Sequence, residues 1–122
     1  MSTLKTTTYS MIVAQLLDES RKSVNLNQAD FFKQAGISQS SWSRINRGLS
    51  YFTLEEMRSA CGVIGVKMQE VLKDADQASE LLPKKEGVEI LRNLKGSENK
   101  SMLPTIIAGA ALGFLIFRLL KR

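Results

Sequence analysis

The chain contains no histidine and one cysteine, Cys61. Histidine-based acid–base catalysis and Cys/His metal sites are therefore excluded, and so is a disulfide within the chain. Cys61 lies in the apolar stretch "SACGVIGV". Free cysteine is readily buried, so it reads as a small core residue rather than a nucleophile. The N-terminus lacks a long apolar run behind a basic start, so no secretory signal is expected. No alternating strand pattern and no internal repeat are visible, and no catalytic constellation emerges. Glu55 and Glu56 read as a first-turn acid pair and Arg58 as a solvated helix charge. No enzymatic activity, cofactor or metal is expected.

What is present is helical. The 122 residues allow one small core with an appendage. Ile12, Val13, Leu16 and Leu17 recur at helical spacing between Tyr9 and Lys22. Asn27 then stands before "QADFFKQAG", with Asp30 in the first turn and Gly36 as a left-handed stop. Ser38 caps "QSSWSRINRG", which Gly48 ends. Thr53 and Glu56 form a capping box for "LEEMRSACGVIG". A last segment, "KMQEVLKDAD", turns Met68, Val71 and Leu72 inward. Residues 1–8 are polar and read as frayed. The expectation is an all-α, five-helix domain over residues 9–74, within a first domain of residues 1–76. Its predicted core comprises Leu16, Phe31, Ala35, Ile37, Trp42, Ile45, Leu54, Met57 and Val71.

Residues 39–47 divide by face. Trp42 and Ile45 point one way, while Gln39, Ser40, Ser43, Arg44 and Arg47 point outward or sideways. A helix entering the DNA major groove needs this division. Small serines let the backbone approach phosphate, Gln39 can bond adenine N6 and N7, and Arg44 can bond guanine O6 and N7. The preceding helix, with Gln28 at its N-terminal end, can hold a phosphate on free amides.

The stretch "LNQADFFKQAGISQSSWSRINRG" resembles the helix-turn-helix of the phage repressor and Cro family. The pattern is a leucine, a capping residue and a glutamine, then Ala29, the turn glycine Gly36, Ile37, the cap Ser38, Trp42 and Ile45. The likeness covers about residues 9–74. It implies a lambda-repressor-like fold and a prokaryotic or phage transcriptional regulator that binds double-stranded DNA, commonly as a homodimer. It also implies that Gln28 contacts phosphate, that Gln39, Ser40 and Arg44 read bases, and that Ser41, Ser43 and Arg47 support backbone contacts. Phe32 departs from the pattern, which has a small residue where the two helices cross. The rival reading is a degenerate helix-turn-helix serving as a membrane-associated protein-interaction module. Charge bears on the choice. Residues 1–76 carry nine Lys and Arg against eight Asp and Glu, and the surplus lies in residues 77–122.

Residues 77–101 read as a linker in which Val88, Leu91 and Leu94 line a short amphipathic helix. Residues 102–117 carry no charge. Extended to Leu120 they would span about 28 Å at 1.5 Å per residue, with Lys95 and Lys100 before them and Lys121 and Arg122 after. Residues 102–120 are thus expected to be a transmembrane or hydrophobic tail helix, with Pro104 in its first turn and Gly109 and Gly113 as a helix-pairing face. The implied location is the cytoplasmic face of a membrane, as a single-pass, tail-anchored protein in contact with lipid, and the implied role is a membrane-tethered transcriptional regulator or a DNA anchor.

Overall fold

A computed structural model describes residues 4–94 and 105–120. Strand β1 is Lys5–Thr8, followed by helices α1 (Tyr9–Ser23), α2 (Gln28–Ala35), α3 (Gln39–Asn46), α4 (Leu54–Ile64) and α5 (Met68–Leu81). A π-helical turn, Leu82–Glu86, leads to β2 (Val88–Leu91). Strand β3 (Thr105–Ile106) and helix α6 (Gly109–Leu120) complete the described chain.

The all-α expectation is corrected by the sheet. Its three strands are parallel in the order β2-β1-β3. Lys5 pairs with Val88 and Thr8 with Leu91 on one side of β1; Lys5 pairs with Thr105 and Thr6 with Ile106 on the other. The segment expected to fray is therefore central. Thr6, Thr7 and Thr8 are buried, and their β-branched side chains suit a strand. Thr8 also starts α1, its hydroxyl accepting from the Met11 amide at 3.1 Å. Val88 and Leu91, expected on a short helix, lie in β2 instead.

The caps of α2, α3 and α4 are the local ones that the sequence implies. Asn27, Ser38 and Thr53 each accept a backbone amide of the first turn, and Thr53 with Glu56 completes a capping box. Seven of the nine predicted core residues are buried: Phe31, Ala35, Ile37, Trp42, Ile45, Met57 and Val71. Leu16 is half-buried. Leu54 is 69% exposed, because it is the first residue of α4 and precedes the face that turns inward. Cys61 is buried, and burial raises its thiol pKa. Tyr9 Oη donates to Asp76 Oδ1 at 2.6 Å, tying the start of α1 to α5. Burial and then this carboxylate push the Tyr9 pKa up.

The tail expectation is also corrected. Among the described residues no helix is long and apolar enough to cross a membrane. Helix α6 has 12 residues, or about 18 Å against a hydrocarbon core of about 30 Å. The chain before it is not helical: Thr105 and Ile106 pair with β1, and Gly109 has a left-handed φ of 57°. The apolar residues of α6 instead cover α1 and α5, with Leu112 and Ile116 buried. Arg118 pairs with Glu86. The transmembrane, tail-anchored and lipid-contacting description is thereby withdrawn, and the membrane location with it. Gly113 does not present a free pairing face, since a Cβ there would stand 3.2 Å from Gln15 Oε1. Residues 102–104, with Pro104, and the flanking Lys95, Lys100, Lys121 and Arg122 lie outside the described residues.

One glycine joins the two halves of the chain. Gly48 ends α3 with φ of 77°, and a Cβ there would meet Leu94 Cγ and Cδ1 at 2.5 Å. The Leu94 amide donates to the Gly48 carbonyl at 2.9 Å. Gly48→Ala should cost roughly 1–3 kcal/mol from left-handed strain and this overlap. The urea midpoint checks it, and the effect should shrink in a Leu94→Ala background. An equal effect in both backgrounds would exclude the contact as the cause.

Candidate nucleic-acid interface

The α2–α3 pair is built from its ends inward. Arg21, buried in the last turns of α1, places the entry to α2. Its guanidinium donates to the Leu26 carbonyl at 2.6 Å and to Asp18 Oδ1 at 2.9 Å from a second nitrogen. The loop is bent by Asn25, whose φ is 58°. Asn27 accepts the Asp30 amide at 2.8 Å and donates to Asp30 Oδ2 at 3.1 Å. Gln28 is thus set, exposed, as the first residue of α2. The Asp30 carboxylate occupies the same turn and opposes an incoming anion.

Helix α2 stops at Gly36, whose φ is 71°. The Gly36 and Ile37 amides both donate to the Phe32 carbonyl, at 2.9 and 3.1 Å. Ile37 is buried and pins the turn. Ser59 on α4 donates to the Ala35 carbonyl at 2.7 Å, fixing the same corner from behind.

Below α3 lies an aromatic cluster. The Trp42 ring meets Phe31 edge-on at 5.4 Å, Phe32 at 5.5 Å and Phe52 edge-on at 5.6 Å. The bulk of Phe32 is absorbed as a half-buried ring against Trp42. Edge-to-face geometry matches the ring quadrupoles and holds α3 against α2.

The outer face of α3 carries Gln39, Ser40, Ser43 and Arg44, all exposed, and Arg47 follows as the exposed C-cap. Ser38 and Ser41 differ from these. Ser38 Oγ accepts the Ser41 amide at 3.0 Å and donates to Ser41 Oγ at 3.0 Å, and Ser41 is half-buried. These two hydroxyls hold the start of the helix. The long side chains are loosely held. Arg44 Nη2 is 3.4 Å from Ser41 Oγ, and Arg47 Nε is 3.4 Å from the Ser43 carbonyl. Such long contacts exchange readily for a phosphate or a base edge.

Three supports were not apparent from the sequence. Arg21 lies in the last turn of α1, where a cation is ordinary. Leu94 braces Gly48 across 46 positions of chain, and Gln15 Nε2 reaches Asn46 Oδ1 at 3.5 Å across the α1–α3 contact. No local pattern announces contacts at such separations. Among the described residues no group of acidic or thiol side chains is placed to hold a metal ion. Comparison with protein-family models, curated proteins and solved structures finds no match.

Proposed function

We propose that α2 and α3 form a helix-turn-helix that binds double-stranded DNA in a sequence-specific way, and that the protein acts as a transcriptional regulator. The supporting observation is the division of α3. Trp42 and Ile45 are 5% and 1% exposed, while Gln39, Ser40, Ser43 and Arg44 are all exposed on the same eight-residue helix. That face is narrow, since two of its four residues are serines. A narrow hydrogen-bonding face on a braced helix is what the major groove admits. The resemblance to phage repressors and Cro supports the same assignment.

In this reading Gln39 and Ser40, in the first turn of α3, approach base edges, and Arg44 reaches a guanine one turn on. Ser43 and Arg47 meet phosphate, and so does Gln28 at the start of α2. Ser38 and Ser41 keep the helix start in place. The near-neutral first 76 residues leave little sequence-independent attraction. Binding then rests on well-placed contacts, and a homodimer on two half-sites doubles them.

The alternative, a protein-interaction module, draws on that same balance of charge. Two substitutions separate the readings. Duplexes selected from a random pool give the starting site. Arg44→Ala should lose roughly 1–3 kcal/mol at one base pair and relax preference there. Gln28→Ala should weaken all duplexes about equally. If neither change alters binding to any selected duplex, α3 does not read DNA.

A further inference from the structure

The positive surplus of the chain lies after residue 76, with eight Lys and Arg against four Asp and Glu. Residues 1–76, which hold α2 and α3, carry nine against eight. Neutralising phosphates supplies much of the affinity of a DNA-binding protein, so cations brought to α3 from the later part of the chain would count. Four of the later cations are described: Lys84, Lys85, Arg92 and Arg118. Lys84 pairs with Glu80 and Arg118 with Glu86. Lys85 lies in the turn before β2, and Arg92 directly follows that strand. Because β2 is parallel to β1, it begins beside Lys5 and ends beside Thr8, about 10 Å further along.

Residues 92–94 then meet the end of α3. The Leu94 amide donates to the Gly48 carbonyl at 2.9 Å, and its side chain covers Gly48. Asn93 Nδ2 donates to Tyr51 Oη at 3.0 Å. Gly48 directly follows Arg47, the exposed C-cap of α3. Arg92 is exposed and stands two residues from Leu94, at most about 7 Å of chain. Neither Arg47 nor Arg92 belongs to an ion pair among the described residues.

We propose that residues 92–94 form a second DNA contact outside the helix-turn-helix, in which Arg92 binds a backbone phosphate on the flank that Arg47 approaches. The proposal rests on the DNA reading of α3. Two cations at one end of α3 complement the polyanionic backbone. The guanidinium offers a phosphate two parallel N–H donors. The Leu94–Gly48 and Asn93–Tyr51 bonds already fix the chain beside Arg92, so binding orders little more than one side chain. A phosphate contact carries no sequence information. Arg92 therefore adds affinity for every duplex and leaves base preference to α3.

The test measures binding of the full chain to a selected duplex and to a scrambled duplex of the same composition, by fluorescence anisotropy across a salt series. Arg92→Ala should weaken both by a similar factor, roughly threefold, the scale of an exposed ion pair. It should also reduce the slope of log K against log salt by about one. Arg92→Lys, which keeps the charge, should retain the slope. Lys85→Ala, exposed at the other end of β2, should change neither quantity. An unchanged thermal midpoint shows that the variants fold. Single methylphosphonate linkages scanned through the selected duplex locate the contact. One such linkage at the edge of the site should weaken the wild type and leave Arg92→Ala unaffected. Wild-type binding with a full slope in Arg92→Ala, an equal loss in Lys85→Ala, or methylphosphonates that weaken both proteins alike would each overturn the second contact and leave the reading of α3 standing. A wild-type chain that binds no duplex would overturn the reading of α3 and this contact with it.

Discussion

Trp42→Ala should destabilise the domain by roughly 3–5 kcal/mol, the range for removing a large buried aromatic. The side chain is 5% exposed and touches three other rings, Phe31, Phe32 and Phe52. Those rings come from α2 and from the loop before α4. They can close only part of the space that an indole leaves, so a cavity term adds to the lost transfer energy. The ring also holds α3 against α2, so any DNA affinity should fall with stability. Trp42→Phe, which keeps a ring in the cluster, should cost less than half as much. Chemical denaturation with matched slopes for the variants checks both values. A loss under about 1 kcal/mol for Trp42→Ala would place the ring outside the core and put α3 in the wrong helical phase.

Leu112→Ala should cost roughly 2–5 kcal/mol, because α6 is part of the same core. Leu112 is fully buried where α6 crosses α1 and α5, and Ile116 lies one turn on at 2% exposure. Phe114 is the matched control. It is 64% exposed on the opposite side of α6, with Arg118 above its ring. Phe114→Ala should cost less than about 1 kcal/mol. Thermal unfolding of the two variants side by side gives the comparison. Equal small effects would detach α6 from the domain and restore the question of what else covers its apolar residues.

These two residues mark what could be read in advance. Trp42 was placed correctly because its signal is local. The caps Asn27, Ser38 and Thr53, the stop Gly36 and the spacing of Trp42 and Ile45 lie within a turn or two of the feature they set. The outward face of α3 follows from the same phase, so its exposed residues are legible in the sequence. Leu112 was misassigned because its partners are dispersed. A run of apolar residues looks the same whether lipid or protein covers it, and the surface that receives α6 is assembled from α1 and α5. The sheet was missed for a related reason. Three threonines at a polar start resemble a frayed end, and the partners of β1 lie at Val88–Leu91 and Thr105–Ile106. Val88 and Leu91, three apart, satisfied a helical spacing as well as a short strand does. Two supports of the site, Gln15 and Leu94, act through tertiary contacts that leave no local pattern, while Arg21 acts on its near neighbours Asp18 and Leu26.

The central claim is that α3 reads base sequence. The direct measurement is the ratio of affinities for a selected duplex and a scrambled duplex of the same length and composition, at one salt concentration. Sequence-specific proteins show a ratio of about 10³ or more. The full chain should reach that range, and Arg44→Ala should reduce the ratio while leaving affinity for the scrambled duplex nearly unchanged. A ratio near one in the wild-type protein would contradict the assignment.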